Sequence, residues 1–570
     1  LVCLVFRTDE VKVRDLILVT RSVTVILHPS AFILKGVSRR RMFHPTPPAW
    51  FNGAAMSLLQ VVLFLMFCAV AVGWVARRAR IPYPIALVIG GGLLGFMPEL
   101  PQLPFDPQLI LVLVLPPVLY QAALLTSWRD FKAQIGPISL LAVGLVIATT
   151  LAVGAALKFL IPDIPWAAAF AFGAIVSPPD AIAATAILTQ LSIPRRVVTI
   201  LEGESLVNDA SGLVLYKFAV AAVLTGAFSL FDASVQFVLV SIGGIVIGVL
   251  IGYLFVFIHR HLGDTFIEVL MTLSVPYAAY IFAENLHLSG VLAVVAAGIV
   301  RGRYSPEIVS AEMRIIARSA WNLLVFLLNS LVFILIGLQL SGILDRLTGQ
   351  SMTELMWYGL LISGVAIAVR FAWIYPASYV RQILFPSRSE PPFSEPEHFI
   401  MSWCGMRGIV SLAAALALPY AINEGAPFPQ RDLIVFLTFF VIAVTLVVQG
   451  LSLGPLIRVL KVGADWSADE ELQRAKMALG KAAIAAIDAR AAQEQISQEV
   501  ADRIRAEFAE KITLWLPGLL NRGDDPAKRL RRAALTAERQ ELIRLWRDNQ
   551  ISDEVLHHIE EDLDYQESRL

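Results

Sequence analysis

Thirteen apolar runs on the scale of a lipid bilayer succeed one another between residues 57 and 457, and little else about this chain constrains its fold as tightly. They lie near 57–76, 83–98, 108–126, 135–157, 166–190, 197–224, 233–258, 265–283, 287–300, 321–341, 355–380, 397–421 and 432–457. Crossing the hydrocarbon takes roughly 20 helical residues, because each residue rises only about 1.5 Å. A spanning β-barrel would instead show short alternating strands, and the sequence has none of that pattern. The expected fold is therefore all-α and polytopic, in a cell's inner (plasma) membrane. Composition agrees: 57% of the 570 residues are hydrophobic and 16% charged, too few charges for a soluble chain of this length.

The loops give an orientation, since short cytoplasmic loops collect Lys and Arg. One alternate set of connections holds Arg77, Arg78, Arg80, Arg129, Lys132, Arg195, Arg196, Arg260, Arg301, Arg303, Arg314, Arg318, Arg381, Arg388, Arg458 and Lys461. The other holds Lys158, Arg346 and Arg431. A miscounted span would scramble this alternation. The N-terminal end of the first span is expected outside and the C-terminal tail in the cytoplasm.

Two segments stand apart from the 56–460 membrane domain. Residues 1–55 mix short apolar stretches with Arg39–Arg41 and a Pro-rich linker before Met56, and read as an extension from an over-long translation start. Their order of basic and apolar regions is wrong for a signal peptide. Residues 461–570 read as a helical cytoplasmic tail, with one helix-favouring run from Ala468 to Trp515 and a second from Ala527 to Leu570, separated by Pro517, Gly518, Gly523 and Pro526. A packing or dimerisation module is the plain reading of such amphipathic sequence.

Lys and Arg together number 46, as do Asp and Glu, so no net charge points to nucleic acid. Cys3, Cys68 and Cys404 are too far apart for a disulfide framework or a cysteine metal site. No cofactor is implied. Chemistry must come from the ionisable residues inside the spans, each costing about 2.5–3.5 kcal/mol at mid-bilayer even on the lenient insertion scale. These are Asp180 in the fifth span, Glu202, Glu204, Asp209 and Lys217 in the sixth, Arg370 in the eleventh and Arg407 in the twelfth. Glu268, His259, His261 and His287 map to span ends or loops, where exposure is the plain reading.

Pro178 and Pro179 remove two backbone donors mid-span, so the fifth helix should break near Ser177–Asp180. Cys404-Gly405-Met406-Arg407-Gly408 is a comparable weak point in the twelfth. Interrupted helices in corresponding positions of two halves point to a transporter site at the midplane, since unwound backbone at that depth must line a cavity or lie buried in protein. The sixth span adds Glu202-Gly203-Glu204-Ser205-Leu206-Val207-Asn208-Asp209. Ser205 and Asp209 are four apart, as are Glu204 and Asn208, which puts them on adjoining strips of one helix. A hydroxyl and a carboxylate facing Asp180 make an oxygen-rich site suited to a hard cation. An aspartate beside a break also serves as a helix cap, an alternative that fits Asp180 better than Asp209 in mid-span.

Gly-Ala-Ile-Val-Ser-Pro-Pro-Asp at 173–180, Glu-Gly-Glu-Ser-Leu-Val-Asn-Asp at 202–209 and Gly-Met-Arg-Gly at 405–408, in that order, resemble the monovalent cation:proton antiporter family of NhaP-type bacterial antiporters and animal Na+/H+ exchangers. The resemblance covers about 57–460. It implies thirteen helices in inverted repeats, the fifth and twelfth broken and crossing, a homodimer, and elevator-like movement of a core domain. Na+, K+ or Li+ and H+ would be the substrates, exchanged in the service of pH homeostasis. By resemblance Asp209 alternates between cation and proton, Asp180 and Ser205 are further ligands, and Asn208 completes the Asn-Asp pair. Glu204 and Arg370 fall on the family's buried ion pair, and Arg407 on its arginine at the twelfth-helix break. Many members carry Thr where this chain has Pro179, which leaves only the Pro179 carbonyl as a ligand there.

Other classes fit less well. An intramembrane aspartyl protease resembles Gly-x-Gly-Asp at its second aspartate, and His261-Leu262-Gly263-Asp264 lacks the first glycine. Asp209-Ala210-Ser211-Gly212 lacks the first glycine of an intramembrane serine protease, and no histidine is placed as its base. A channel would build its filter from symmetric subunits, whereas this site draws on unlike halves of one chain. The expectation is a transporter rather than an enzyme: one-for-one, electroneutral exchange of Na+ or K+ for H+.

Overall fold

The structure, a computed structural model, describes residues 58–79, 82–96, 107–180, 184, 188, 193–347, 351–384, 393–422, 426–460, 462, 466–494 and 497–514, with isolated positions between 538 and 548. The expected extension at 1–55 and most of the second tail stretch lie outside the described residues.

Helix dominates because a backbone with no water to bond must satisfy its own polar groups. In chain order the helices are α1 (Leu58–Ala79), α2 (Tyr83–Gly95), α3 (Pro107–Leu125), the short α4 (Trp128–Ala133), α5 (Ile135–Leu160), α6 (Trp166–Val176), α7 (Arg195–Thr225), α8 (Leu230–His259) and α9 (Thr265–Asn285). There follow α10 (Gly290–Ile308), α11 (Ala311–Arg346), α12 (Met352–Leu384), α13 (Glu395–Trp403), α14 (Ile409–Leu416) and α15 (Arg431–Leu460). Seven of the described helices are long and apolar enough to cross a membrane, with shorter apolar ones between them, so the protein is an all-helical, multi-pass membrane protein.

Many starts are set by local sequence. Ser229, Asp264, Ser289 and Ser310 each accept a hydrogen bond from the backbone N–H three residues on, satisfying donors that a helix start leaves open. Ser394 and Glu397 form a capping box at the start of α13.

Among the described residues two large buried apolar clusters and a small third one around Val269, Val309 and Met313 fill the bundle, and α7 belongs to both large ones. Val197, Ile200 and Leu201 pack with Phe172, Phe333 and Ile434, while Leu206 and Ala210 pack with Tyr120, Ala279 and Val295. The helix that carries Asp209 is thus clamped along its length between two cores. Side chains on α8 such as Leu239, Leu250 and Phe257 are exposed, as a face against lipid tails would be.

Two expectations are corrected. The run from Ala468 to Trp515 is not one helix: α16 (Trp466–Gln493) and α17 (Gln498–Leu514) are separated by a turn at Glu494 and linked by an Arg505–Asp488 ion pair at 2.5 Å. Helix propensity alone could not locate that turn, because folding back buries Ala501, a tertiary gain. His259 and Glu268 are not exposed span ends. His259 is buried, with Nε2 3.6 Å from Oε2 of Glu268 and Nδ1 3.5 Å from Nη2 of Arg301, because the end of α8 packs under α10.

Candidate ion-binding site

Helix α6 stops at Val176, where Pro178 and Pro179 cannot supply donors to carry it further. The residues from Ser177 to Asp180 are not helical, and neither are Cys404–Gly408 between α13 and α14. The two interruptions meet. The Asp180 N–H donates to the Met406 carbonyl at 2.7 Å, and Arg407 Nε donates to the Val176 carbonyl at 3.1 Å. Each break therefore supplies a partner for backbone groups that the other leaves open.

Gly408 makes the close approach possible. A Cβ there would run into the Asp180 carboxylate, so any larger residue must displace that side chain. Arg407, buried at 2% exposure, also donates through Nη1 to the Gly405 carbonyl, and its own N–H donates to Thr445 Oγ1 at 3.1 Å. Thr445 opens a π-helical stretch, Thr445–Gln449, inside α15. The arginine's visible work is to cap the broken α6; among the described residues it makes no ion pair.

From α7 two strips of side chains face different partners, as the four-residue spacing requires. On one strip, Glu204 binds Arg370 of α12 through both oxygens, at 2.6 and 2.7 Å, and Asn208 Nδ2 donates to the Pro179 carbonyl at 2.8 Å. On the other, Ser205 and Asp209 line a cavity of about 370 Å³ together with Asp180. Asn208 and Pro179 do not line it. The Pro179 carbonyl faces the Asn208 amide, a contact that ties the unwound segment to α7.

The cavity also has walls that sequence reasoning left unassigned: Tyr83 of α2, Asn329 of α11, Ser411 of α14 and Glu202 of α7. Asn329 Oδ1 and Ser411 Oγ are buried without a hydrogen-bond partner. Only for Glu202 was a signal available, since it stands three and seven residues before Ser205 and Asp209 on the same strip. The others come from helices whose packing on α7 no spacing reveals. Much of the remaining wall is apolar, built by Val114, Leu115, Val118 and Leu119 of α3.

The cavity is asymmetric along the helices. From Asp209 it runs past Ser205 and Glu202 toward the Arg195–Arg196 end of α7, and its rim includes exposed Ala122 and Leu125 near Arg129 and Lys132. Among the described residues, Ile409 also lines a separate small void of about 20 Å³, together with residues such as Leu335, Ile336 and Leu412.

Residues 62–459 match the family model for the transmembrane sodium/hydrogen exchanger. The chain belongs to that family. It is accordingly a multi-pass Na+/H+ antiporter, not an enzyme. It is 33% identical over 524 residues to an uncharacterized Na+/H+ exchanger of Mycobacterium bovis, covering 90% of this chain and 96% of the relative. A sodium, potassium, lithium and rubidium/H+ antiporter of Bacillus subtilis is 35% identical over 414 residues, 69% of this chain and 60% of the relative. The fold is similar to that of the sodium proton antiporter MjNhaP1 of Methanocaldococcus jannaschii, with a TM-score of 0.58 at 19% identity over 70% of this chain and 98% of that one.

Proposed function

We propose that this exchanger moves one Na+ or K+ against one proton, with the cation held between Asp209, Asp180 and the Ser205 hydroxyl. The observation that carries the reading is the junction of the two helix breaks, which brings the Asp180 carboxylate to the same cavity as Asp209. Two carboxylates and a hydroxyl are hard oxygen donors suited to an alkali cation. Asn208, Pro179 and Arg407 hold the unwound backbone in place, and the Glu204–Arg370 pair fixes α7 against α12. The breadth of ions in the name of the Bacillus subtilis relative supports K+ and Li+ as additional substrates.

In this reading the open end of the cavity and the tail face the cytoplasm and the site is inward-facing, an orientation that the basic loops support. The residues around the small void at Leu335, Ile336 and Leu412 then form the outward gate that alternating access requires and a continuous channel lacks. Thirteen spans in inverted repeats, with the fifth and twelfth crossing at the site, and a dimeric assembly complete the reading. The test is proton flux from purified protein in liposomes. Addition of Na+, K+ or Li+ should drive protons across the bilayer, and a protein that passes cations without moving protons would sink the proposal.

A further inference from the structure

We propose that Glu202 is the approach residue of the exchanger, a carboxylate in the cavity wall that draws the cation from the mouth toward Asp209. The inference rests on the transport reading above. Seven residues of helix separate Glu202 from Asp209, about 10 Å, too far for one ion to touch both. Its role is therefore on the path and not in the final coordination.

Three observations single it out. Glu202 is half-buried on the cavity wall and makes no hydrogen bond or ion pair with another described residue. The basic residues nearest to it on α7 are committed elsewhere: Arg195 to Asp130 at 2.9 Å and Arg196 to Glu397 at 2.6 Å. The charged side chains lining the cavity are Glu202, Asp180 and Asp209, with no basic residue among the described lining. A carboxylate with no basic neighbour among the described lining of a largely apolar cleft focuses the field and raises the local cation concentration. Helix-dipole stabilisation does not explain its position, because Glu202 lies beyond the first turn of α7, where that effect fades.

The experiment measures cation-driven proton flux in proteoliposomes for wild type, Glu202→Gln, Glu202→Ala and Glu202→Asp, over a range of Na+ concentrations and at two ionic strengths set with choline chloride. Removing the charge should raise the KM for Na+ about three- to ten-fold with the maximal rate retained, and Glu202→Asp should restore most of it. High ionic strength should shrink the difference, since screening shortens to about 3 Å near 1 M salt. An unchanged KM in the neutral variants, or a loss of maximal rate alone, overturns the inference while leaving antiport intact. If neither neutral variant folds, the wild type decides: a KM insensitive to choline chloride overturns it. Failure of the wild type to exchange at all would count against the transport reading instead.

Discussion

Arg370 grips both carboxylate oxygens of Glu204, at 2.6 and 2.7 Å, with the two side chains 2% and 1% exposed. Its third nitrogen, Nε, donates to the Met401 carbonyl at 2.9 Å, just ahead of the break in the α13–α14 segment. One guanidinium thus ties α7, α12 and the broken helix together. Removing one member of such a pair strands a buried charge at a cost of about 3–5 kcal/mol, whereas removing both costs less. Arg370→Gln and Glu204→Gln should each lower the yield of monodisperse protein in detergent, and the double variant should recover part of it. Single variants that fold normally, with effects that simply add, would show that the pair does not act as a unit.

Asp209→Asn and Asp180→Asn should each abolish antiport while leaving expression and thermal stability close to wild type. Neutralising a costly buried carboxylate relieves desolvation, yet it removes a ligand and the proton-accepting group. Cation-induced dequenching of a pH-sensitive dye in everted vesicles reads the loss, and full dequenching with Asp209→Asn would refute its assignment.

Much of this site was legible in the sequence, because its strongest signals are local. Pro178 and Pro179 dictate a break wherever they sit in a helix, and the spacing of Glu204, Ser205, Asn208 and Asp209 fixes which strip each occupies. The partners across space were less accessible. That Asn208 holds Pro179, that Arg407 caps Val176, and that His259 is buried against Glu268 and Arg301 depend on which helix packs on which. Tyr83, Asn329 and Ser411 reach the cavity for the same reason, from uncharged stretches of helix with no unusual spacing to mark them.

Gly408→Ala tests the contact between the two breaks. The added Cβ would overlap the Asp180 carboxylate, which must move out of the cavity or push α14 away. Misplacing a reacting group by about 1 Å costs on the order of 100-fold in well-organised sites, so the variant should lose at least about tenfold in exchange rate. Circular dichroism should remain wild-type-like. Gly405→Ala meets Cδ of Arg370 instead, 2.9 Å away, a smaller overlap that does not involve the Asp180 carboxylate, and should be milder. Equal activity in both variants would show that the Asp180 position does not depend on Gly408.

The stoichiometry of the cycle turns on Asn208. Two adjacent aspartates at this point of α7 would offer two exchangeable protons per cation, and each turnover would then move net charge. Here the neighbour of Asp209 is a neutral amide, spent on the Pro179 carbonyl, and Asp180 is held beside the break by its own backbone bond to Met406. On the proposed reading that leaves Asp209, 7% exposed and with no basic side chain among the described cavity lining, as the group whose charge must be matched in turn by a metal ion or by a proton. One proton would then leave for each cation bound, and the loaded and protonated sites would carry the same charge. Such a cycle is electroneutral. The membrane potential, worth roughly 2.3 kcal/mol per charge per 100 mV, has nothing to act on. Na+-driven proton flux in proteoliposomes, under an imposed potential of either sign set without potassium, should show the same steady rate and the same end-point gradient. A gradient that shifts with the sign of the potential would rule out one-for-one exchange and require a second proton site beyond Asp209.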